Sequence, residues 1–290
     1  MKEVSYNLFC VSIGKYENIR QLSKEEFDRH KEQIYALEKL ELEDRLFTLI
    51  TMNYNDLKAK IAFYCSYKDS NKSFDFKETY LDLNRVILNL LSSIRTYLDH
   101  NETRLKKKYG ETSEEFQLFK RLTSNAFDTS FAYRFLTKLR NFAQHCGLPS
   151  GSIQQVSSRD GETIRLILHR DNLLNVYDGW GSQVKKDLIQ QSEDFDMLPL
   201  IEQKISELRA INYELTEREY QKLAQDAFEL LDLMVEVQKK AKGAPTLAEL
   251  ITDSTDKDSM QIVERHFPYA AISRSTGVHI TILQPHKNDD

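Results

Sequence analysis

Arg140, Asn141 and His145 offer the most specific chemistry that residue type and spacing propose in this chain. They lie in the run Tyr133-Arg134-Phe135-Leu136-Thr137-Lys138-Leu139-Arg140-Asn141-Phe142-Ala143-Gln144-His145-Cys146-Gly147-Leu148-Pro149. An arginine carries a permanent charge on a planar fork that matches phosphate oxygens. A histidine is the side chain best suited to passing a proton near neutral pH. Projecting from one helix, the two can break an RNA phosphodiester without a metal. The polar Asn141 directly follows the arginine, and Gln144 lies between the two charged residues. On the preceding helix, Arg95 and Asp99 are four apart and share a face, and His100 follows; these three are candidates for support. An ordinary helix-surface ion pair is the plainer explanation of Arg95 and Asp99.

The element that must position Arg140 and His145 is a helix over roughly residues 128–146, stopped by Gly147 and Pro149. With Phe131 at zero and about 100° per residue, Phe131, Ala132, Phe135, Leu136, Leu139, Phe142 and Ala143 fill an arc of about 140°. That arc is expected to face a core. Arg140, Tyr133, Gln144, Thr137, Asn141, Arg134 and His145 follow in order over the other side, from about 180° to about 320°. Arginine and histidine therefore bracket one polar face. His145 falls in the last helical turn, where the negative end of the helix dipole welcomes a cation. Residues 100–146 hold nine Lys or Arg and five acids, so this segment carries +4 within a chain of net −5. Either a solvated helix face or an anion-attracting surface accounts for that bias.

The surrounding pattern is helical. Residues 1–22 read as irregular or short-stranded. Ser23-Lys24-Glu25-Glu26 is a capping box, and helical character follows through Phe63 with one break expected. Residues 68–75 are a polar connection. Leu83, Val86, Ile87, Leu90, Leu91, Ile94, Tyr97, Leu98 and Leu105 recur at three- and four-residue steps, which predicts a helix over 78–109 ended by Gly110. A helix over 114–125 follows. The turn Ser158-Arg159-Asp160-Gly161 joins strands at 153–157 and 163–169. Residues 171–180 are a loop or short helix, and 184–191 are helical. Leu200, Ile201, Ile205, Leu208 and Ile211 mark another helix. Thr216-Glu217-Arg218-Glu219 is a second capping box, expected to open a helix that runs to Gly243. The tail is expected to hold a short helix and strands near 261–264 and 278–283.

Composition sets outer limits. With 290 residues the chain can bury a core without disulfides. No apolar run approaches about 18 residues, so no membrane span is expected. Cys10, Cys65 and Cys146 are far apart, lack paired zinc spacing, and suit a reducing compartment. Together with the absence of a signal-peptide core near Met1, this makes the cytoplasm the expected location. The net charge of −5 argues against non-specific coating of nucleic acid. His169-Arg170-Asp171 mimics a kinase catalytic-loop tripeptide, but no glycine-rich loop or Asp-Phe-Gly accompanies it. No Walker loop, Gly-x-Ser-x-Gly elbow or His-Glu-x-x-His occurs. No cofactor or metal is expected.

The stretch Arg140-Asn141-Phe142-Ala143-Gln144-His145 resembles the signature of the HEPN superfamily: arginine, a polar residue, a short spacer, then histidine. The resemblance covers roughly residues 78–146, and the helices of 196–242 would extend it. It implies a mainly α fold, a HEPN-like helical bundle with a small β-hairpin insertion and a short β/α C-terminal extension. The expected division is an N-terminal helical extension over 1–75, a bundle over 76–243 with its hairpin near 152–170, and an extension over 244–290. It further implies a metal-independent endoribonuclease that cleaves single-stranded or looped RNA by attack of the 2′-hydroxyl, in a toxin or anti-phage defence setting. His145 would move the proton, Arg140 would stabilise phosphate charge and Asn141 would orient the site. Members usually act as homodimers, and an antitoxin or defence-system partner would be in keeping. The family also contains non-catalytic modules that bind a nucleotide, RNA or a protein, and that reading stands beside the first.

Overall fold

The computed structural model describes residues 2–13, 15–66, 75–158, 161–253 and 256–281. In chain order its elements are β1 (Lys2–Ser12), β2 (Lys15–Leu22), α1 (Lys24–Cys65), α2 (Phe76–Tyr109), α3 (Glu114–Thr129) and α4 (Phe131–His145). Then come β3 (Ser152–Ser158), β4 (Gly161–His169), α5 (Arg170–Val176), α6 (Ser182–Ile189), β5 (Asp194–Asp196) and α7 (Leu198–Lys222). The chain continues through α8 (Ala224–Lys240), β6 (Ala244–Asp253), β7 (Asp256–His266) and α9 (Tyr269–Thr276). The fold is mainly helical with small antiparallel sheets.

Two compact units arise, one from Met1–Asp44 with Thr216–Asp290, the other from Arg45–Leu215. This division differs from the expected one at 75/76 and 243/244. The reason is a long-range pairing. β1 lies antiparallel to β6 from Lys2 to Val11, with Val4 opposite Ile251 and Leu8 opposite Leu247. The two ends of the chain thus build one sheet, in the order β2-β1-β6-β7. Leu8, Phe27, Ile34, Leu37, Leu230, Val237, Leu247 and Ala271 form the core of this unit. Arg20 bridges Glu26 and Glu236 at 2.6 and 3.1 Å; Arg20 holds the Glu26 carboxyl, and Lys240 with Arg20 the Glu236 carboxyl, below the usual carboxylate range.

Local signals fared unevenly. The Ser23 hydroxyl accepts from the Glu26 N–H at 3.1 Å, as its capping box requires. The expected break in the following helix is absent, and α1 runs unbroken to Cys65. Near the N-terminus, Lys2–Ser12 and Lys15–Leu22 are strands of regular length. The Thr216 capping box does not open a helix, because Thr216 lies inside α7 and its hydroxyl accepts from the Arg274 guanidinium instead. The helix break comes later, at Leu223. In the tail the strands are β6 and β7; residues 278–281 are not a strand, and 282–283 lie outside the described residues. The hairpin turn at Arg159 and Asp160 and most of the 68–75 connection also lie outside them.

The Arg45–Leu215 unit holds the helices expected over 78–146, whereas α8, expected in the same bundle, belongs to the other unit. α2 begins where Asp75 accepts from the backbone N–H groups of Lys77 and Glu78, and ends at Gly110, whose φ of 91° suits glycine. Ser113 caps α3 and Ser130 caps α4. The stripe Leu83, Val86, Ile87, Leu90, Leu91, Ile94 and Tyr97 is buried as its spacing predicts. β3 and β4 pair as the expected hairpin, and β5 adds to β4 to make a second sheet, β3-β4-β5.

Candidate active site

α4 packs on α2, α3 and α6. An aromatic column fixes its rotation. Phe135 stacks on Trp180 at 5.5 Å and Phe142 stacks on the same indole at 5.7 Å. Trp180 is fully buried and donates from Nε1 to the Leu173 carbonyl at 2.9 Å. Phe135, Leu136, Leu139 and Phe142 therefore face the core. The helix closes with the Cys146 N–H donating to the Phe142 carbonyl at 2.8 Å.

This rotation leaves Gln144 and His145 exposed and Arg140 and Asn141 half-buried. The Arg140 Nε is shielded from solvent without a hydrogen-bond partner among the described residues. No carboxylate of the described residues pairs with Arg140, and Arg140 and His145 do not bond to each other. The polar face is narrower than the wheel suggests. Tyr133 and Arg134, expected on it, are buried. Arg134 Nε donates to Asp187 at 2.5 Å, and its Nη1 donates to the Phe127 carbonyl at 3.1 Å. The cause is that α6 covers Arg134 and α7 covers Tyr133, on the side of α4 that an isolated helix would expose.

Arg95, Asp99 and His100 do not join this site within one chain. Arg95 and Asp99 form the expected ion pair at 2.7 Å, about half exposed. They border a cleft of about 360 Å³ with Glu102, Lys120, Thr123 and Tyr133, at the first turn of α4. His145 lies twelve residues further on, about 18 Å along the axis. His100 is exposed on α2.

Sequence reasoning missed a polar seam between α4 and α7. Lys204 is fully buried and donates to the Tyr133 carbonyl at 3.0 Å and the Thr137 hydroxyl at 2.7 Å. Its ammonium also sits 4.6 Å over the Tyr133 ring. Burial pulls the Lys204 pKa down to about 7, against a smaller opposing pull from Glu207. Burial likewise pushes the Tyr133 phenol up, and its hydroxyl has no partner among the described residues. The signal was present: Lys204 shares the three- and four-residue spacing of Ile201, Ile205, Leu208 and Ile211. No family model, curated protein or solved structure matches this chain.

Proposed function

We propose that the chain is a HEPN-type, metal-independent endoribonuclease whose working groups are Arg140, Asn141 and His145. One observation carries this reading. At the open end of α4 an exposed histidine lies five residues from a guanidinium that no carboxylate of the described residues neutralises. An unneutralised arginine is suited to a phosphate, and a solvent-reached histidine can exchange its proton. In the reaction, the ribose 2′-hydroxyl attacks the adjacent phosphorus as His145 takes its proton. The 5′-oxygen leaves, and the product carries a 2′,3′-cyclic phosphate. Arg140 holds the charge that builds on the phosphoryl oxygens, and Asn141 orients the site. α4 of one chain supplies one such histidine, so a second copy would provide the acid that protonates the leaving oxygen.

The test is incubation of purified protein with unstructured and hairpin RNAs in EDTA, beside Arg140→Ala and His145→Ala. Cleavage that survives chelation, leaves cyclic phosphate ends and falls about 10²-fold or more in each variant is expected. Cleavage lost on chelation and restored by magnesium would overturn the mechanism. RNA binding without cleavage would place the protein among the non-catalytic modules.

A further inference from the structure

The sheet β3-β4-β5 brings together three residues that the RNA reading does not use. The Ser152 hydroxyl lies 3.1 Å from His169 Nε2, and His169 Nδ1 lies 2.6 Å from Asp194 Oδ1. The register produces this. His169 and Asp194 are direct cross-strand partners, and Ser152 pairs with Ile167, two residues before His169. Side chains two apart on a strand share a face, so all three stand on the same side of the sheet. Gly151 completes the arrangement. A Cβ there would meet His169 Cδ2 at 2.6 Å, so only glycine lets the imidazole lie this close to the strand.

We propose that Ser152, His169 and Asp194 form a nucleophilic triad that hydrolyses short-chain carboxylic esters. The Asp194 carboxylate accepts a hydrogen bond, so Nδ1 of His169 carries the proton and Nε2 is free to take one. That is the tautomer a serine base requires. Ser152 Oγ attacks the ester carbonyl carbon while Nε2 takes the hydroxyl proton. The carbon–oxygen bond of the ester breaks and the alcohol leaves with that proton. Water then attacks the acyl-serine, gives its proton to Nε2, and releases the carboxylic acid. Nε2 returns the proton to Ser152 Oγ, so every atom is accounted for. Asp194 touches no substrate; it positions His169 and stabilises the imidazolium. The side chains of His169 and Asp194 are 40% and 52% exposed, so an ester can reach the site without any opening of the fold. Beyond the triad on the same face the neighbours include the Arg165–Asp196 ion pair at 3.3 Å, which suits a small acyl group and not a long apolar one.

The test uses the full chain with a fluorophosphonate probe, which labels only an activated serine, and with p-nitrophenyl acetate. Mass analysis should find the probe on Ser152, and Ser152→Ala should lose the label while its far-ultraviolet circular dichroism and melting curve stay unchanged. His169→Ala should slow labelling about 10²-fold. Asp194→Asn should slow it too and change its pH profile, because the amide can hold the wrong tautomer. Labelling that is absent, that falls on another residue, or that is unchanged in His169→Ala would overturn the triad. RNA cleavage should be the same in Ser152→Ala as in the wild type, so the two activities stand or fall separately.

Discussion

At the residue scale, α4 separates groups that hold the fold from groups free to act. Phe142 is buried against Trp180, so Phe142→Ala should destabilise by about 3–5 kcal/mol. His145 is exposed and Arg140 has no charged partner among the described residues, so alanine at either should cost less than about 1 kcal/mol. Melting curves for the three variants decide this; an unfolded His145→Ala beside a normally melting Phe142→Ala would reverse the assignment of faces. Arg134 gives the contrast. It is an arginine on the same helix, but its removal strands the Asp187 carboxylate and the Phe127 carbonyl. Arg134→Ala should therefore cost about 3–5 kcal/mol in the same assay. Two arginines six residues apart have opposite roles, and nothing in the one-dimensional pattern distinguishes them. What separates them is Asp187, fifty-three residues away, which only the folded chain brings near Arg134.

At the element scale, the legible features were those decided within a few residues. The Ser23 cap, the apolar stripe of α2 and its stop at Gly110 all follow from local geometry. Thr216 carries the same capping pattern and fails, because a tertiary partner, Arg274, takes its hydroxyl while α7 continues past it. The pairing of β1 with β6 was illegible for a related reason: each strand is satisfied by the other across most of the chain. The seam between α4 and α7 supplies the prediction that belongs to this scale. Lys204 has a folded pKa of about 7, below its unfolded value near 10.4. Below about pH 7 both states bind the proton and burial of the charge costs its full amount. Between about 7 and 10.4 the unfolded chain holds a proton that the folded one lacks, so stability gains from Lys204 as pH rises. Lys204→Met should flatten that rise in urea melts taken from pH 6 to 10. Its loss should be tolerated at pH 6, since the Thr137 hydroxyl already donates to the Tyr133 carbonyl at 2.7 Å. A steeper pH dependence in the variant would contradict the burial account.

At the scale of the whole molecule, the proposed RNA chemistry makes a demand that one chain does not meet. Cleavage by attack of the 2′-hydroxyl needs one group to take a proton and another to give one. α4 offers a single exposed histidine, so a pair of chains meeting at the His145 ends of their α4 helices is the expected active form. The charge distribution constrains that encounter. Each copy brings the +4 segment of residues 100–146, and two like-charged surfaces repel across the interface until salt screens them or an anion bridges them. The dimer should therefore strengthen as ionic strength rises from about 0.01 M, where the screening length is about 30 Å, to about 0.15 M, where it is about 8 Å. An uncleavable RNA carrying 2′-deoxyribose at the scissile position should promote it further, by placing phosphates between the two Arg140 side chains. Sedimentation velocity at micromolar protein, across salt and with or without that RNA, measures both effects. Arg140→Ala should remove the RNA-induced shift and leave the salt-induced one in place. A preparation that stays monomeric under every condition, yet still cleaves RNA, would mean that one chain holds the whole site and that the acid must be sought among its own residues.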